Sequence, residues 1–149
     1  GLPLKLIGTG PDRGTVEKLA QGYKNIELLP FIESDDDLRK VVSGARATIV
    51  PQLEDFGLVT AESIACGTPV IGYREGGTGE IIEDGLNGVL FNEQSEAALA
   101  DAIQRFTEVD FDPEVVAQSA KRFKKEAFKT RFRELIDSAM NGVYRSPTP

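Results

Sequence analysis

The chain has 149 residues, 40% hydrophobic and 28% charged, enough for a compact globular core. Its net charge of −7 argues against sequence-independent nucleic-acid binding, which needs clustered Lys and Arg. It has no histidine and a single cysteine, Cys66. That removes histidine-based catalysis and histidine metal sites, together with any internal disulfide framework.

Short β-branched runs alternate with helical patterns along the chain. LKLIG (4–8) reads as a strand followed by a GTGP turn, with Pro11 opening a helix that runs to about Gly22. NIELLPFI (25–32) is a second strand, and Ser34 with Asp37 forms a capping box for a helix to about Ser43. ARATIVP (45–51) is a third strand, followed by a helix over 57–66 that ends before Gly67. TPVIGY (68–73) is the fourth strand, GGTGEIIED a glycine loop with a short helix, and NGVLF (87–91) the fifth strand. Helices are expected over 95–107, 113–121 and 122–142. Ala98, Leu99, Ala102, Ile103 and Phe106 share one helical face, and Phe123, Phe128, Phe132, Leu135 and Ile136 mark another stripe, expected to face the core. The final residues, 145–149, are expected to form an unstructured tail after a domain spanning 1–144.

Repeated β-α units with apolar strands predict an α/β fold, a Rossmann-like parallel sheet with helices on both faces. Such folds bind ligands beyond the C-terminal ends of their strands, at helix N-termini. The stretch PQLEDFGLVTAESIACGTPVIG (51–72) meets that description. The first amides of its helix lack partners inside the helix and favour an anion. Gly57 permits close approach of backbone and ligand. Glu54 and Glu62 lie before the helix and one to two turns into it, so a ligand across the helix start could meet both carboxylates. Carboxylates accept strongly from vicinal hydroxyls, and a diphosphate bridging two sugars has the matching shape. Set against this, acidic residues are common at helix starts for dipole reasons alone. Gly76–Gly77 alone reads as a turn, GTG at 8–10 is neither a dinucleotide fingerprint nor a P-loop, Cys66 reads as a core residue, and Asp35–Asp37 as a solvated first turn.

Taken in order, GTGP, NIELLPFI, EDFGLVTAE, GTPVIGYREGG and EDGLNGVLF resemble the C-terminal, donor-binding half of retaining glycosyltransferases of the GT-B fold, family 4 type. The segments YREGG, LFNEQSEAALADAI and KRFKKEAFKTRF are similar to bacterial mannosyltransferases of polysaccharide biosynthesis. The resemblance implies that Glu54 is the catalytic-site glutamate set against the transferred sugar, with the amides of Phe56, Gly57 and Leu58 also at that sugar. It implies Leu58 and Val59 amides at the diphosphate, Glu62 at the ribose, and Gly8, Gly10, Phe31 and Ile32 beside the base. It implies no metal and no cofactor. It implies a nucleotide sugar as partner, GDP-mannose or a UDP-sugar, and a glycan or lipid-linked acceptor reached through an N-terminal domain. That domain, the first β-α unit, and an Arg and a Lys for the diphosphate are expected to lie outside this chain, leaving an isolated fragment inactive. No nucleic-acid partner is expected. The expected location is cytoplasmic. Readings in competition with the transferase are a non-catalytic nucleotide-sugar-binding module, an epimerase or phosphorylase of the same fold, and peripheral docking of the basic segment Lys121–Arg133 on the inner face of the cell membrane.

Overall fold

The computed structural model describes residues 1–142; the expected tail at 145–149 lies outside the described residues. The chain is α/β and divides into two compact units, Gly1–Val41 and Val42–Pro149, with the division falling inside a helix.

The first unit holds β1 (Leu4–Ile7), α1 (Arg13–Ala20), β2 (Ile26–Leu29) and most of α2 (Asp35–Ser43). β1 and β2 are parallel, in register from Leu4 opposite Ile26 to Ile7 opposite Leu29. Asn25 fastens the entry to this pair: its carbonyl accepts from Leu4 N at 2.8 Å, and its Nδ2 donates to the Leu2 carbonyl at 2.8 Å. Pro30 follows β2 immediately and supplies no ladder N–H. Of the expected capping box at the start of α2, the Ser34 half is present: Asp37 N donates to Ser34 Oγ at 3.3 Å, while Asp37 Oδ1 accepts from Lys40 Nζ.

The second unit is built on a three-stranded parallel sheet, order β3 (Thr48–Val50), β4 (Val70–Tyr73), β5 (Gly88–Phe91). Alternation along the strands sends side chains to two faces. Val50, Val70 and Leu90 pack with Ile64 of α3 (Leu58–Ala65), Ile81 of α4 (Gly77–Ile81) and Val116 of α6 (Pro113–Ser119). Ile71, Val89 and Phe91 pack with Ala102 and Phe106 of α5 (Glu96–Thr107). Both faces of this sheet are therefore covered by helices, as the apolar strands predict. Each fully buried Val or Ile here contributes about 1.5–3 kcal/mol.

Local chemistry fixes the helix ends. Ser95 Oγ accepts from Ala98 N at the start of α5, and Asp112 Oδ1 accepts from Glu114 N at the start of α6, whose first residue is Pro113. Gly67, at φ +79°, ends α3 and turns the chain into β4. Buried Asn87 holds the approach to β5, accepting from Glu83 N at 2.8 Å and donating to Ser119 Oγ at 2.9 Å.

The C-terminal segment corrects one expectation. A 3₁₀ turn (Ala120–Phe123) and an extended Lys124 precede α7 (Lys125–Met140). No residue of α7 is buried. Phe128 is 63% exposed and Phe132 50%, their rings stacked on each other 5.7 Å apart. Leu135 and Ile136 are exposed as well. The stripe has helical periodicity but α7 leans on the 3₁₀ turn, so its apolar face does not enter the core of this unit. No helix among the described residues is long and apolar enough to cross a membrane.

Candidate functional site

Past the C-terminal ends of β3 and β4, two loops run side by side. Glu54 and Gly76 form an isolated parallel bridge beyond the last paired residues of the two strands. The amide of Gly77 donates to the Glu54 carbonyl at 2.6 Å. The approach is so close that side chains are excluded on both sides. A Cβ on Gly76 would collide with the Glu54 carbonyl oxygen, and one on Gly77 would stand 2.6 Å from Gly57 N. Gly57 adopts the left-handed region, at φ +67° and ψ +38°, and a Cβ there would sit 2.8 Å from Ile81 Cδ1 and 3.0 Å from the Gly77 carbonyl carbon. Glycine is required at Gly57 by conformation and at Gly76 and Gly77 by space.

The consequence is that the starts of α3 and α4 are held against each other. A second tie lies one turn deeper, where the buried hydroxyls of Thr60 and Thr78 hydrogen-bond at 2.9 Å. Neither helix start has a side-chain cap. The amides of Leu58, Val59 and Thr60 have no carbonyl four residues back within the helix. Most helices here follow the dipole rule and place an acid in the first turn: Asp35–Asp37, Glu80, Glu96, Glu114 and Glu126 do so. α1 and α3 do not. The start of α3 thus keeps its positive end open.

Glu54 is half-buried in the loop before this helix start, and its Oε1 accepts from Gln52 Nε2 at 2.6 Å. That contact orients the carboxylate while leaving Oε2 for another donor. Glu62 is exposed on α3. It lies about 6 Å along the axis from Leu58, at 1.5 Å per residue. Phe56 (81% exposed), Leu58 and Val59 present apolar side chains to solvent around the helix start. Such exposure of large apolar groups beside unsatisfied amides suits a surface that a ligand covers.

Arg74 braces the far side of the glycine loop. Its Nε donates to Asn92 Oδ1 at 2.5 Å and its Nη2 reaches Asp84 Oδ2 at 3.2 Å. Asp84 in turn accepts from Leu90 N, so the chain leaving β4 is tied to the loop before β5 and to the C-terminal half of β5.

The structure therefore brings together Glu54, Phe56, Gly57, Leu58 and Val59, with Glu62 farther along the same helix. Gly8, Gly10, Phe31 and Ile32 belong to the first unit. There Gly8 follows β1 at φ +132° and its amide donates to the Leu29 carbonyl, Phe31 is exposed and Ile32 is half-buried. Residue type alone singles out neither Gln52 nor the Thr60–Thr78 pair, and Arg74, Gly76 and Gly77 stand out in sequence only as part of YREGG, with no partner assigned. The signal for the glycines was present in REGGTGE, two glycines directly after a strand. Their partner, twenty residues earlier, is visible only in three dimensions.

Residues 1–130 match the family model described as "Glycosyl transferases group 1". The chain belongs to that family. It is 29% identical over 143 residues to the N-acetyl-alpha-D-glucosaminyl L-malate synthase of Bacillus anthracis, covering 95% of this chain and 36% of that relative. The fold is that of a lipopolysaccharide outer core galactosyltransferase, WaaB, in its apo form: TM-score 0.80, 20% identity, 92% of this chain and 41% of that one. It is likewise that of Anabaena HepE in complex with UDP-glucose: TM-score 0.64, 21% identity, 91% of this chain and 41% of that one. The chain thus spans little more than a third of the curated relative's length.

Proposed function

We propose that this chain is the donor-binding part of a retaining hexosyltransferase of the family 4 type, within a larger two-domain enzyme. The observation that carries the reading is the uncapped, acid-free start of α3, held open against the Gly76–Gly77 turn and flanked by Glu54 and Glu62. The amides of Leu58 and Val59 receive the diphosphate, and those of Phe56, Gly57 and Leu58 face the transferred sugar. Glu54, oriented by Gln52, accepts from hydroxyls of that sugar, and Glu62 accepts from the ribose hydroxyls. Gly8, Gly10, Phe31 and Ile32 border the base.

In the reaction, the bond from the anomeric carbon to the diphosphate oxygen breaks as the acceptor hydroxyl adds on the same face, its proton passing to the departing phosphate oxygen. Charge then develops on the leaving diphosphate. Fixed amides aimed at that charge stabilise it without reorganising, the largest kind of term available to such a site. UDP-glucose in the HepE complex supports a nucleotide sugar as donor class. GDP-mannose is our choice of donor, on the similarity of YREGG and the following segments to bacterial mannosyltransferases, with UDP-sugars next. The acceptor is a glycan or a lipid-linked sugar, and the basic residues of Lys121–Arg133 support peripheral attachment of the parent to a membrane surface.

Saturation-transfer NMR with millimolar GDP, UDP, ADP and GDP-mannose tests this. The expected result is a signal for one nucleotide, strengthened by its sugar conjugate and reduced by Glu62→Ala. Equal signals for all four ligands, unchanged by Glu62→Ala, would overturn it.

A further inference from the structure

The first unit places a cation, Arg13, at the C-terminal ends of its two strands. Arg13 is the first residue of α1, yet its side chain turns back across the ends of both strands. Nη1 donates to the Gly8 carbonyl and to the Leu29 carbonyl, each at 2.9 Å. Nη2 reaches the Leu28 carbonyl at 3.4 Å. Nε donates to Glu17 Oε1 at 2.9 Å, one turn along α1, which fixes the plane of the guanidinium. The Leu29 carbonyl also accepts from Gly8 N at 3.3 Å. One planar fork thus closes the loop after β1 onto the end of β2.

The surroundings make this more than an incidental surface contact. Gly8, Thr9, Gly10, Arg13, Val16 and Leu28 line a hollow of about 270 Å³ at the strand ends. Gly8 sits at φ +132°, a conformation open to glycine, with its carbonyl bonded by Arg13 Nη1. α1 also keeps its first turn free of acids. Five donors in a rigid plane can serve three carbonyls and a carboxylate at once, whereas a lysine ammonium is a point charge on a flexible stem.

We propose that Arg13 is a positioning residue for the base of the donor. It sets the spacing between the Gly8–Gly10 turn and the chain leaving β2 toward Phe31 and Ile32. With the Gly10 carbonyl taken by Arg13 N, the Thr9 backbone and the Gly10 amide are the groups that would meet the edge of a purine or pyrimidine. The ligand class is a nucleoside diphosphate, and selectivity among bases depends on the spacing. This inference rests on the donor-binding reading.

The test compares wild-type protein with Arg13→Met and Arg13→Lys, titrated with GDP, ADP, UDP and, as a ligand with no base, inorganic pyrophosphate. Amide spectra of each variant report whether the first unit keeps its fold. The wild type is expected to prefer one nucleotide. Arg13→Met is expected to lose about tenfold on that nucleotide, the size of one misplaced backbone–base hydrogen bond, and to flatten the ranking of the three. Pyrophosphate binding is expected to stay unchanged, and Arg13→Lys to fall between. An Arg13→Met protein that keeps the wild-type ranking would overturn the proposal and leave the donor-binding reading intact. So would one that loses all four ligands equally, since that marks Arg13 as merely structural. A wild-type protein that binds no nucleoside diphosphate would overturn both.

Discussion

Gly77→Ala puts the geometry of the site under direct strain. The new Cβ would meet the carbonyl carbon of Phe56, stand 2.6 Å from Gly57 N and 2.9 Å from Asp55 O. All three are main-chain atoms, so no rotamer change relieves the contact. Comfortable separations between such atoms begin near 3.5 Å, and the 55–57 loop must therefore retreat by about 1 Å. Overpacking of this kind costs about 1–3 kcal/mol. The retreat also opens the 2.6 Å bond from Gly77 N to the Glu54 carbonyl, a further ~1 kcal/mol. A net destabilisation of about 2–3 kcal/mol is expected, read as a shift of the urea midpoint at unchanged slope. Gly14→Ala is the control. Gly14 is the second residue of α1 with no atom within 4 Å of its missing Cβ, so alanine there should leave the urea midpoint unchanged or raise it slightly. If Gly77→Ala matches the wild type in urea midpoint, the loops are not held as described and the reasoning fails.

The Thr60–Thr78 pair gives a second test: Thr78→Val leaves a fully buried hydroxyl without its partner and should cost about 1–3 kcal/mol, while Thr60→Val/Thr78→Val together should recover part of that in a double-mutant cycle. Asn87→Ala removes the 2.8 Å and 2.9 Å bonds that hold the approach to β5, and a loss of about 2–4 kcal/mol is expected by thermal or urea unfolding. The two carboxylates should separate functionally in calorimetric titrations. Glu62→Ala is expected to weaken nucleotide and nucleotide sugar alike, by about tenfold for one charge-assisted bond, and Glu54→Ala to weaken only the sugar-bearing ligand. Equal effects of both substitutions on the bare nucleotide would contradict that division.

The order of elements was legible because each strand is a short apolar run and each helix carries its period of 3.6. Their ends were less so. The segments 45–51 and 68–73 were expected as strands, but the ladder covers only Thr48–Val50 and Val70–Tyr73. Thr68 is instead drawn into a turn, its amide donating to the Ser63 carbonyl and its Oγ1 to the Val42 carbonyl at 2.8 Å. Pro11 marked the start of a helix in sequence, yet the helix begins at Arg13, after a turn closed by Arg13 N on the Gly10 carbonyl. In α7 the apolar period was read correctly and its burial was not, because periodicity reports which residues share a face and not what that face meets. At the site, Glu54, Gly57 and Glu62 stood out since a loop, a glycine and a helix start follow one another in sequence. The contacts that complete it, Gln52 on Glu54, Gly77 on the Glu54 carbonyl and Arg13 across two strand ends, depend on backbone approaches that residue type alone does not disclose.

The most direct test of the central claim follows backbone amides in a ¹⁵N-labelled protein titrated with GDP-mannose and UDP-glucose. The account predicts saturable shifts at Leu58, Val59 and Gly77, with the largest at the start of α3. Saturable binding that leaves the Leu58 and Val59 amides unmoved would contradict it.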